Sequence, residues 1–82
     1  MDIAKFEKNL DYLIEQWCSR KQLAPLCHIL NAQASLNGLT DGFEEMLLEL
    51  KTIRSQNSNA LDNNEMDIVI ELIHATEEAL GR

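Results

Sequence analysis

Few side chains in this chain stand at spacings that could do chemistry, and Glu71-x-x-His74 is the most specific arrangement among them. Residues three apart on a helix point the same way, and a Glu and a His so placed share a metal in di-iron carboxylate bundles. That site would also need bridging carboxylates, which Glu45 or Glu49 could supply, and a second motif, which only a two-fold partner could bring. Against it, Glu71 and His74 fall with Asp67 and Glu78 on a narrow polar stripe, away from the core where bundle metals sit. Cys18, Cys27, His28 and His74 carry zinc-ligand atoms, but paired zinc ligands stand two to four residues apart, whereas Cys27 and His28 are adjacent. Adjacent residues diverge by about 100° on a helix, which also removes a Cys27–His28 nucleophile pair. No Gly-rich phosphate loop or nucleophile elbow interrupts the chain. The expectation is no catalytic residue, no metal site and no cofactor.

Charge narrows the partners. With 14 acidic against 7 basic residues, a formal charge of −7, the chain repels phosphate backbones and anionic lipid, so neither nucleic acid nor membrane is expected. Apolar runs such as Ile68-Val69-Ile70 stop far short of the roughly 20 residues a membrane helix needs. Residues 1–8 alternate charge with apolar groups, unlike a secretion signal, which reads as cytoplasmic. Two cysteines are too few for a disulfide framework and are expected as free, buried thiols. Glu45 with Glu49, and Asp67 with Glu71, place like charges one helical turn apart, costing a few tenths of a kcal/mol unless a cation lies near. That penalty hints at a basic protein partner.

The elements that must position these groups are helical. A chain of 82 residues supports one core, and four segments carry three-and-four apolar spacing, at about 3–20, 23–37, 41–55 and 62–80. The first lines up Ile3, Phe6, Leu10, Leu13, Ile14 and Trp17, with Arg20 and Lys21 at its negative pole. The second lines up Leu23, Leu26, Cys27, Leu30 and Ala34; its Pro25 is tolerable only in a first turn. Asn37-Gly38-Leu39 reads as its stop, and Asp41-x-x-Glu44 as a capping box opening the third helix. That helix buries Phe43, Met46, Leu47, Leu50 and Ile53, and the Asn- and Ser-rich stretch 55–60 follows as a loop. Asp62 and Glu65 form a second capping box, with Leu61 and Met66 as its staple, ahead of a stripe of Met66, Val69, Ile70, Ile73 and Leu80. The fold expected is an all-α, compact four-helix bundle running up-down-up-down.

In the fourth helix Ile68, Leu72, Ala75 and Ala79 widen the apolar arc beyond half the circumference. Such an arc belongs to a central helix, or to one packed against a second copy or a foreign helix through Ile68, Leu72 and Ala75. Tyr12 and Leu48 fall off the buried stripes and are candidate interface anchors. The expected function is a non-enzymatic protein-binding module: an inhibitor, an immunity or antitoxin-like protein, or an adaptor. A homodimer through the fourth helix and a metal-binding bundle or small enzyme using Glu71 and His74 are the alternatives.

Overall fold

The computed structural model describes residues 3–35 and 42–81, and among them four α-helices form a compact all-α bundle. They are α1 (Ile3–Ser19), α2 (Leu23–Ser35), α3 (Gly42–Gln56) and α4 (Asn63–Ala79), with a 3₁₀ turn at Ser58–Ala60 between the last two. The stop at Asn37-Gly38-Leu39 and the capping role of Asp41 lie outside the described residues. Each helix packs against its neighbour in sequence, and α4 returns to α1. The last pair is antiparallel: Lys5 meets Glu71 at 2.9 Å near one end, while Arg20 reaches Asp62 at 3.8 Å at the other. Among the described residues no helix is long and apolar enough to cross a membrane.

The junction between α1 and α2 is made by two backbone hydrogen bonds. Lys21 N donates to Cys18 O and Gln22 N to Trp17 O, closing a Schellman motif in which Lys21 takes the left-handed position at φ 57°. A Cβ in that region costs about 1 kcal/mol or more, which glycine avoids. Lys21→Gly is therefore expected to stabilise the chain by about 0.5 to 1 kcal/mol, seen as a higher urea midpoint at unchanged slope. A lower midpoint would contradict the motif. The sharp reversal puts Pro25 in the first turn of α2, where its missing N–H breaks no helical bond.

The core joins Phe6, Leu10, Leu13 and Trp17 of α1 to Met46, Leu47, Leu50 and Ile53 of α3 and to Val69, Leu72 and Ile73 of α4. Three expectations need correction here. On α2 the buried residues are Pro25, Ile29 and Ala32, with Leu26 half-buried against the core as expected, while Leu23, Cys27, Leu30 and Ala34 face water; the helix is turned about half a revolution from its apolar reading. Both thiols are exposed, Cys27 because of that turn. On α4 the buried face centres on Leu72, which is 1% exposed, so this residue belongs to the core and not to an interface. The polar letters at 65 and 76 concealed that face. Thr76 is buried because its hydroxyl donates to Leu72 O at 2.7 Å, and Glu65 because a capping box and Arg20 satisfy it.

Candidate functional site

The α4 capping box is complete: Glu65 N donates to Asp62 Oδ1 at 2.8 Å, and Asp62 N to Glu65 Oε1 at 3.2 Å. From the end of α1 the Arg20 guanidinium donates to both carboxylate oxygens of Glu65. That hydrogen bond is the first cause raising the Arg20 pKa above its already high ordinary value. Sequence reasoning placed Arg20 at the dipole of its own helix; in the fold it bolts α1 to α4. This cluster is structural, since every polar atom it buries is met from within the chain.

The acidic stripe lies on the α1–α4 side. Asp67, Glu71, His74 and Glu78 are all exposed, and the last three line an open groove of about 300 Å³ with Lys5 and Asn9. Phe6, Leu72 and Ala75 supply its apolar wall. The volume lies at the lower end of small-ligand sites, and the Lys5 ammonium occupies the Glu71 carboxylate. Among the described residues no three His, Cys, Asp or Glu side chains converge on a point that could hold a metal ion. Within the fold Lys5 sits on Glu71 of the Asp67–Glu71 pair, and the His28 ring Nδ1 meets Glu49 Oε2 of the Glu45–Glu49 pair across α2 and α3.

Of the apolar candidates, Ile68 and Ala75 are half-buried and packed against the core. No large apolar side chain of α4 stands among the exposed ones; α1 and α3 pack against its wide arc, of which Ala79 is exposed. Tyr12 is exposed, its hydroxyl accepting from Asn64 Nδ2 at 3.4 Å, and Leu48 stands 60% exposed on α3.

The surface that sequence reasoning missed is the outer face of α2. Leu23 is 70% exposed and Leu30 44%, and Cys27 and Ala34 extend them along one side, opposite Pro25, Ile29 and Ala32. The 13 residues of α2 contain no Asp, Glu, Lys or Arg. With no Asp, Glu, Lys or Arg on α2 to mark the outside, its apolar pattern points the leucines inward. The absence of charge over 23–35 was itself the available signal, since a helix of that composition is ordinarily covered on all sides. The chain matches no protein-family model, no curated protein and no solved structure.

Proposed function

We propose that this chain is a small non-enzymatic protein-binding module whose docking surface is the outer face of α2. The observation that carries this reading is the uncharged, exposed stripe of Leu23, Cys27, Leu30 and Ala34 on a chain of formal charge −7. Aligned leucines on a helix are the anchors by which one helix seats against another, and water is a poor neighbour for them. An inhibitor, an immunity or antitoxin-like protein, or an adaptor would use such a face. The acidic groove between α1 and α4 makes a weaker case, because its best-placed carboxylate is already paired with Lys5.

Affinity capture from the native host tests the surface. Material retained by the wild-type chain should be lost with Leu23→Glu or Leu30→Glu, both at exposed positions, and kept with Glu71→Gln. Retention that followed Glu71 and ignored both leucines would move the binding surface to the acidic stripe and end this reading.

A further inference from the structure

We infer that the occupant of the outer α2 face is the same face of a second copy, the two helices lying antiparallel about a two-fold axis between Cys27 and Leu30. This rests on the reading of that face as the docking surface. Three features select a second copy.

The first is spacing. Leu23, Cys27, Leu30 and Ala34 follow one another at four, three and four residues, the alternation of a coiled-coil seam, which meshes best with another helix of the same repeat. The second is size. Antiparallel pairing about that axis sets Leu23 against the partner's Ala34 and Cys27 against the partner's Leu30, so every layer holds one large and one small side chain. A parallel pairing would stack leucine on leucine and alanine on alanine, alternately overfilling and underfilling the seam. A two-fold contact must be self-complementary, and this stripe is complementary to its own reverse.

The third feature is charge. Two chains of formal charge −7 repel, and α1, α3 and α4 each present carboxylates to water. The α2 face carries none, and the rows flanking it, Ala24 with Gln33 and Leu26 with Asn31, are neutral as well. Here two copies meet without opposing like charges. A basic partner would find no carboxylate on it. The seam spans about 16 Å, and such a length buries less than the roughly 800 Å² per partner of a standard interface, so the dimer is a reversible one.

Sedimentation equilibrium of the full chain, from micromolar to near-millimolar, tests the inference. The expected result is a monomer–dimer equilibrium that tightens with added salt, because screening relieves the repulsion of the two acidic bodies. Leu30→Glu should raise the dissociation constant more than about tenfold while helical circular dichroism is kept, and Leu23→Glu should act in the same direction. Combining Cys27→Lys with Leu30→Glu should restore the dimer, since the antiparallel register brings the two new charges together across the seam, whereas a parallel one sets like against like. A wild-type chain that stays monomeric throughout would overturn the second copy; if leucine-dependent capture of another protein persisted, the docking-face reading would stand alone. A dimer indifferent to both leucine substitutions, or a folded double variant that stayed monomeric, would also overturn the arrangement.

Discussion

Leu72→Glu is expected to abolish cooperative folding instead of altering association. Leu72 is 1% exposed, between Val69 and Thr76 on the innermost face of α4, and its backbone carbonyl already holds the Thr76 hydroxyl. Removing a buried leucine costs about 2 to 5 kcal/mol before any charge is introduced. An unpaired carboxylate there adds several kcal/mol more, against the roughly 3 to 5 kcal/mol that a core of this size supplies. The readout is Trp17, which is fully buried and whose indole N–H has no partner among the described residues. No water then relaxes its excited state, so the folded chain should emit to the blue, and the Leu72→Glu chain should emit at the unfolded position without denaturant. A folded variant with blue emission would place Leu72 back at the surface. Leu30→Glu makes the matched control, because the same carboxylate at a position 44% exposed should leave the transition intact.

Arg20→Met should destabilise the chain more than Asp62→Ala does, although Arg20 is itself partly in water. Asp62→Ala removes one acceptor from the first turn of α4, a loss of about 1 kcal/mol. Arg20→Met leaves Glu65, 1% exposed, as a desolvated carboxylate without its cation. The loss of a partner from a buried charge is costly because the remaining charge can neither hydrate nor pair. Glu65→Gln on the Arg20→Met background should recover part of the loss, since a neutral amide still accepts from the Asp62 N–H. Its failure to recover anything would show that packing, not charge, carries the effect. The Arg20 pKa is raised in the folded state, first by its hydrogen bond with Glu65. Its contribution is therefore full below the unfolded value wherever Glu65 carries its charge, and on the alkaline side it is lost only in strong alkali. The Lys5–Glu71 pair is exposed on both sides and should matter far less, and less still at high salt.

Local signals in the sequence determined the helices and the starts of α2 and α4. The Asp62–Glu65 box and the first-turn position of Pro25 follow from bonds within one turn of backbone, and they are present in the fold as read. The stripes of α1 and α3 were legible for the same reason, apart from Ile3, which is exposed at the start of α1: charged residues on the opposite side left one orientation for the apolar ones. Tertiary structure alone decided the rest. With no charge on α2, its rotation was set by which face its neighbours could accept, and Ile29 and Ala32 went inward while Leu23 and Leu30 did not. Glu65 and Thr76 read as polar in isolation, yet they lie in the core, because burial depends on whether hydrogen-bond partners arrive. For Glu65 that partner is Arg20, 45 residues away in the chain and brought to it only by the closing of α1 on α4.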